Sequence, residues 1–321
     1  QMRILSAADV AAAVDMNAAI EEMRAGFSAL SRGDAEAPLR LALETPDGVQ
    51  LFMPGQIRTS GTSGAKIVYV NPGNIARGLP AIHAVVLVLD PVTGRPLSLM
   101  DGTWMTALRT GAAGGLAADV LARPDATCVA LFGASVQGRT LQEAVRCVRD
   151  IEEVRIVSLD TTESARLAEE LDGIRAVVVE GPSQAIPGAD IVIAATNSRT
   201  PVFEGSLVEP GTHVTGIGSF TPEMREVDTT LVRRARVIVD QREAALAEAG
   251  DLIGPIADGE LDETLIAAEL GEVVSGDAIG RTSPDEITFF KSVGSAVQDL
   301  AVAARVLKEA ERLDLGIVVD L

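Results

Sequence analysis

Val129-Ala-Leu-Phe-Gly133-Ala-Ser135-Val-Gln137-Gly138 sets a glycine-bearing turn directly between an apolar strand and the start of a helix. A dinucleotide pyrophosphate needs that arrangement, because backbone N–H groups and the positive end of a helix dipole converge on one point. Gly133 allows the tight turn, and Gly138 lets helix and sheet approach. The middle position of the G-x-G-x-x-G pattern is Ser135, so a small hydroxyl side chain stands where glycine is usual. Asp160 ends the next strand-like run, about 20 residues past the last glycine. There a carboxylate accepts hydrogen bonds from the adenosine ribose and repels a 2′-phosphate. The expected cofactor is therefore NAD rather than NADP, and the competing reading of Asp160 is a turn or N-cap residue.

Outward from this turn, past Pro124, short apolar runs alternate with helical segments. Residues 127–132, 154–159, 176–179, 191–195, 213–217 and 237–239 read as strands, the pattern of a doubly wound parallel α/β sheet. Ala195-Thr196-Asn197 and Ile217-Gly218-Ser219 fall at the carboxyl ends of two of these strands, where open α/β sheets hold their ligands. From Ile287 a helix of about twenty residues is expected to close the pattern, with Gly294, Ala296 and Ala301 suited to close packing.

The first part of the chain reads differently. Ser6-Ala-Ala-Asp9 has the spacing of a capping box and opens a short helix, and a second helix is expected over residues 17–32, stopped by Gly33. Pro46-Asp47-Gly48 turns the chain between strand-like runs 38–44 and 50–54. Residues 64–71, 81–90 and 95–100 continue in the same manner, so this part is mostly antiparallel sheet. Asp101 can cap a long Ala-rich and Gly-rich helix over residues 103–123.

Composition bounds the function. The 321 residues suggest two domains at roughly 150 residues each, and 47% hydrophobic against 23% charged residues is an ordinary globular balance. With 27 Lys plus Arg against 46 Asp plus Glu, the formal charge is −19, which repels phosphate backbones and anionic lipid heads. No nucleic-acid and no membrane partner is expected. Apolar runs fall short of the ~20 residues that cross a bilayer, and no basic-then-apolar leader is apparent, so the expected location is cytoplasmic. Cys128 and Cys147 read as structural thiols. His83 and His213, 130 residues apart without clustered carboxylates or cysteines, predict no metal site.

Only three of the cations are lysines: Lys66, Lys291 and Lys308. Lys308 fits a solvated helix face. Lys66 enters an apolar strand, where a charge needs a reason, unless it snorkels from a strand edge to solvent. Arg40 lies in a strand-like run and Arg109 in the long helix. With Lys66 they could form a carboxylate pocket, the guanidinium fork giving bidentate contact; separate surface ion pairs are the bland alternative.

Several ordered motifs run nearly end to end: Lys66-Ile-Val, Gly78-Leu-Pro80, Leu89-Asp-Pro-Val-Thr-Gly94, Met100-Asp-Gly102, Thr106-Ala-Leu-Arg-Thr-Gly-Ala-Ala113, Phe132-Gly-Ala-Ser-Val-Gln137 and Phe290-Lys-Ser-Val-Gly294. Together they resemble the ornithine cyclodeaminase/mu-crystallin family. The resemblance implies a homodimer of two-domain chains. A substrate-binding and dimerisation domain over residues 1–120 would be completed by 297–321, and a Rossmann NAD-binding domain would span 121–296. It maps Arg40, Lys66 and Arg109 to substrate-carboxylate and catalytic positions. It also maps Thr110, Ala134, Val136, Gln137, Asp160, Thr196, Asn197, Ile217 and Ser292 to cofactor contacts, beside Gly133, Ser135, Gly218 and Ser219 read from the strand ends.

Cyclodeaminases of this family carry an aspartate in the loop where Gly218-Ser-Phe-Thr-Pro-Glu-Met-Arg-Glu226 has Phe220, which exchanges no proton. The resemblance therefore points to the reductase branch. The expected reaction is NADH-dependent reduction of a small α-imino acid to the L-amino acid, with iminosuccinate, iminopyruvate or a cyclic ketimine such as pyrroline-2-carboxylate as substrate. A dicarboxylic imine would draw on a further donor, His83 or Ser219. The rival readings are a cyclodeaminase converting ornithine to proline plus ammonia, and a non-catalytic ligand-binding protein.

Overall fold

The computed structural model describes residues 1–320 and divides into two compact units, Gln1–Arg109 with Ser295–Leu321, and Thr110–Gly294. The first unit holds strands β1 (Met2–Leu5), β2 (Ala35–Glu36), β3 (Leu41–Thr45), β4 (Gly48–Ile57), β5 (Thr62–Val70), β6 (Ile82–Leu89) and β7 (Pro96–Asp101), with β16 (Ile317–Val319) from the far end of the chain. They form one sheet in the order β16-β1-β7-β6-β5-β4-β2, with β3 paired to β4. Helices α1 (Ala7–Ala13), α2 (Met16–Ser31) and α11 (Ala296–Leu313) belong to the same unit, and α11 packs on α1, α2 and on β4, β5 and β6.

Local chemistry explains these elements. Ser6 and Asp9 close the capping box of α1 reciprocally, and the hairpin β3–β4 turns at Pro46-Asp47. Asp101 Oδ1 accepts the Trp104 N–H at 2.8 Å at the start of helix α3 (Gly102–Leu121). The sheet is antiparallel except where β1 runs parallel to β7. The short strands β1, β2 and β16 had no readable signal.

The second unit contains β8 (Cys128–Phe132), β9 (Glu153–Val157), β10 (Arg175–Val178), β11 (Ile191–Ala194), β12 (His213–Gly216), β13 (Arg236–Val239), β14 (Ile266–Glu269) and β15 (Thr288–Lys291). Every pairing is parallel, in the order β10-β9-β8-β11-β12-β15-β13-β14. The crossovers use α4 (Val136–Val148), α5 (Thr161–Glu170), α6 (Pro182–Ala185), α7 (Thr229–Arg234), α8 (Arg242–Glu248), α9 (Gly250–Ala257) and α10 (Leu270–Val274). Apolar side chains from the two faces form separate cores, one around Phe132, Val192 and Phe289, the other around Leu131, Leu141 and Ile193.

Two expectations need correction. The helix expected from Ile287 is instead the buried strand β15, a sharp loop through Gly294 (φ 84°), and only then α11 from Ala296. A four-residue strand of Thr-Phe-Phe-Lys carries too little periodicity to separate from the helix behind it. The division between units also falls inside α3, after Arg109, rather than beyond residue 120.

Candidate functional site

Strand alternation decides where Lys66 points. In β5 the even-numbered residues Gly64, Lys66 and Val68 are buried, while Ile67 is exposed. Lys66 is paired with Val86, also on the buried face. The side chain is 2% exposed, and its Nζ lies 2.9 Å from Asp299 Oδ1 of α11. The same oxygen receives Arg109 Nε at 3.1 Å, and Arg109 Nη1 donates to Gln298 Oε1 at 2.6 Å. One carboxylate thus serves two buried cations, and its second oxygen, Oδ2, is buried with no hydrogen-bond partner among the described residues.

This shared arrangement controls ionisation. Burial, and then the positive charge of Arg109, push the Lys66 ammonium down to about 7; Asp299 opposes both, and Arg40 adds a further downward pull. Arg40 sits half-buried just before β3, near enough for its charge to act on Lys66. The three cations named from the sequence therefore meet in one electrostatic cluster. Asp299 and Gln298, which organise it, were missed: a polar pair in an amphipathic helix reads as a solvated face.

His83 is not part of this group. It pairs with Tyr69 on β5 and, being odd-numbered like the exposed Val85, lies on the opposite face of the sheet from Lys66. Period-two alternation therefore separates it from Lys66. Ser219 cannot greet a second carboxylate either: it is fully buried, and its hydroxyl donates to the Met224 carbonyl at 2.7 Å. His213 is a core residue, with both ring nitrogens bonded to the hydroxyls of Thr288 and Thr215, and burial pushes it down to about 3.

The second unit carries the dinucleotide cradle. Gly133 has φ 100°, a conformation that disfavours any side chain, and a Cβ on Gly138 would lie 2.0 Å from the Gly133 carbonyl oxygen. Helix α4 therefore starts as close to β8 as backbone allows. Ser135 occupies its N-cap position without a side-chain cap bond, which leaves the helix end open to an anion. Ala134 is buried beneath this turn, while Ser135 and Val136 are exposed and Gln137 is half-buried. The observed cradle fits a pyrophosphate.

Asp160 does cap α5, as the competing reading had it. One oxygen, Oδ1, accepts both Thr162 and Glu163 N–H groups at 3.0 Å, and Oδ2 makes no bond among the described residues, so capping and a ribose contact are compatible. Thr196 and Asn197 follow β11, and Ile217, Gly218 and Ser219 follow β12. Thr110 is buried in α3. Ser292 is buried beyond β15, its hydroxyl donating to Asp240 at 2.7 Å, so any cofactor contact there uses its remaining acceptor capacity or backbone.

A sequence profile described as the ornithine cyclodeaminase/mu-crystallin family matches residues 1–313. The chain belongs to this family. A Delta(1)-pyrroline-2-carboxylate reductase of Bacillus cereus is 36% identical over 98% of each chain. The Thermococcus litoralis Delta(1)-pyrroline-2-carboxylate reductase, solved with NADH and L-proline, is 39% identical with a TM-score of 0.96, covering 99% of this chain and 100% of its own. An archaeal alanine dehydrogenase dimer with bound NAD is 34% identical with a TM-score of 0.95, covering 100% and 99%. Phe220 packs against the core of the parallel sheet. No helix among the described residues is long and apolar enough to cross a membrane, and none of them form a group of three or more metal-ligating side chains.

Proposed function

We propose that the protein is an NADH-dependent oxidoreductase acting on CH–NH groups, reducing a small monocarboxylic α-imino acid, foremost Δ1-pyrroline-2-carboxylate, to the L-amino acid. The observation that carries this reading is Lys66: a buried ammonium whose pKa lies near neutrality, flanked by guanidinium groups. Such a group exchanges a proton efficiently at working pH.

Arg109 has Nε and Nη1 committed to Asp299 and Gln298, which fixes the plane of its guanidinium and directs Nη2 to a substrate carboxylate, with Arg40 as the second cation. Lys66 protonates the imine nitrogen as the C=N bond accepts hydride and becomes CH–NH. Bound NADH supplies that hydride. The Gly133–Gly138 backbone would hold its pyrophosphate, Asp160 its adenosine ribose, and the segments at Thr196-Asn197 and Ile217-Gly218-Ser219 its nicotinamide half, with Thr110 and Ser292 as further contacts. His83 lies on the face opposite Lys66 and the Ser219 hydroxyl is engaged with the Met224 carbonyl, so neither favours the second carboxylate of iminosuccinate, which supports the monocarboxylic imines.

The test follows NADH oxidation with pyrroline-2-carboxylate, with pyruvate or oxaloacetate plus ammonia, and with NADPH in place of NADH. Pyrroline-2-carboxylate with NADH is expected to turn over fastest. Ammonia release from ornithine without accumulation of NADH would establish the cyclodeaminase instead, and equal use of NADPH would remove Asp160 from cofactor selection.

The outer face of the first sheet supports a homodimer. Leu41, Ile67 and Val85 are 66%, 37% and 40% exposed and lie in register across β3, β4, β5 and β6, with Phe52 between the first two. A contiguous apolar sheet face seeks a partner, and a second copy supplies one of the same character. Ile67→Glu is expected to convert a dimer into a monomer by light scattering; a wild-type chain that is monomeric at micromolar concentration would refute the pairing.

A further inference from the structure

Behind the loops at the ends of β11 and β12 lies a second set of buried charges that the proton-transfer cluster does not use. Glu226 is 0% exposed, and its carboxylate accepts four hydrogen bonds. Oε1 takes the Thr196 N–H at 2.5 Å and the Thr196 hydroxyl at 2.8 Å, and Oε2 takes the Gly218 N–H at 2.7 Å and the Ser219 N–H at 3.1 Å. One side chain therefore ties together two loops that are distant in sequence.

Glu226 is itself held from behind. Its backbone N–H donates to Asp251 Oδ1 at 2.6 Å, and Asp251 Oδ2 lies 2.8 Å from Lys291 Nζ, both residues being 0% exposed. Lys291 ends β15, the strand beside β12, so the chain of charges spans three neighbouring strand ends. The space is closed as well: a Cβ on Gly218 would lie 1.8 Å from the Thr196 carbonyl oxygen and 2.6 Å from Glu226 Oε1. Burial pushes the Glu226 carboxyl up, while the Lys291 charge and the Thr196 bonds favour its ionised form, which offers acceptors at both ends; an amide turns an NH2 toward one set of N–H donors.

We propose that Glu226 is a positioning residue for the cofactor: it fixes the spacing of the 196–197 and 217–219 loops that receive the nicotinamide half of NADH, with Asp251 and Lys291 holding it in place. The inference rests on the dinucleotide reading of those strand ends. It separates the two halves of the cofactor, because among the described residues the Glu226 carboxylate bonds only to the 196 and 218–219 segments, whereas the Gly133–Gly138 turn and Asp160 are the groups that would hold the adenosine diphosphate portion.

The experiment titrates wild type, Glu226→Gln and Glu226→Asp with NADH and with ADP-ribose, which lacks the nicotinamide, and records thermal melting alongside. In Glu226→Gln the Kd for NADH is expected to rise at least about tenfold while that for ADP-ribose stays within about twofold. Glu226→Asp keeps the buried charge, and with it the fold, but is one methylene short, and should show the same selective loss to a smaller degree. Equal losses for both ligands, or no loss for either, would overturn the positioning role. Failure of the wild-type protein to bind either ligand would instead defeat the dinucleotide reading beneath it.

Discussion

Lys66→Met is expected to lower kcat/KM for imine reduction by roughly a hundred- to ten-thousandfold, the range that a positioned proton donor supplies, while the Kd for NADH stays near its wild-type value. Methionine nearly matches the volume of lysine and leaves the Arg109–Asp299 and Arg109–Gln298 contacts available, so the loss reports proton transfer rather than collapse of the cluster. Steady-state kinetics and NADH titration check the two halves of this expectation; a variant that retains the wild-type rate would remove the lysine from the mechanism. With its pKa at about 7, Lys66 holds its proton below neutrality and loses it above. In the wild-type enzyme the reductive rate should therefore fall as pH rises through about 7, and the reverse oxidation of the amino acid, which needs the free amine, should rise over the same interval.

Asp299→Asn should move that transition. The carboxylate is the group that holds the Lys66 pKa up against burial and the charge of Arg109; without it the pKa falls, and the reductive limb shifts to lower pH. At pH 7 less of the lysine is protonated, so turnover drops even though no substrate-facing group has been removed. Stability suffers too, because two buried cations lose their shared counter-ion, a change of about 3–5 kcal/mol for breaking a buried ion pair. A pH–rate profile together with a thermal melt checks both consequences. A limb that stays in place would show that Asp299 does not set the lysine.

The parts legible from sequence were those whose meaning is local. The Gly133–Gly138 turn could be read because two adjacent elements and their glycines fully specify it, and the Ser6–Asp9 cap for the same reason. The family motifs then brought Arg40, Lys66 and Arg109 together. What stayed hidden depends on pairing across long separations. Asp299 acquires its role only when α11 crosses the face of β5, 233 residues from Lys66. Glu226 and Lys291 look like ordinary surface charges until Asp251 is placed between them. That His83 and Lys66 lie on opposite faces was hidden too, because alternation tells which residues share a face only once the register of β5 against β6 is known.

The late position of β15 in the chain has a consequence for biosynthesis. This strand lies between β12 and β13, so the parallel sheet has a gap inside it until residue 288 has been made. The helix that covers the other sheet, α11, comes later still. The core around Phe132, Val192 and Phe289 closes only once β15 has been made, whereas the core around Leu131, Leu141 and Ile193 draws on earlier residues alone. A nascent chain stalled before residue 288 would leave β12 and β13 as unpaired edges, exposing it to aggregation and to chaperone capture.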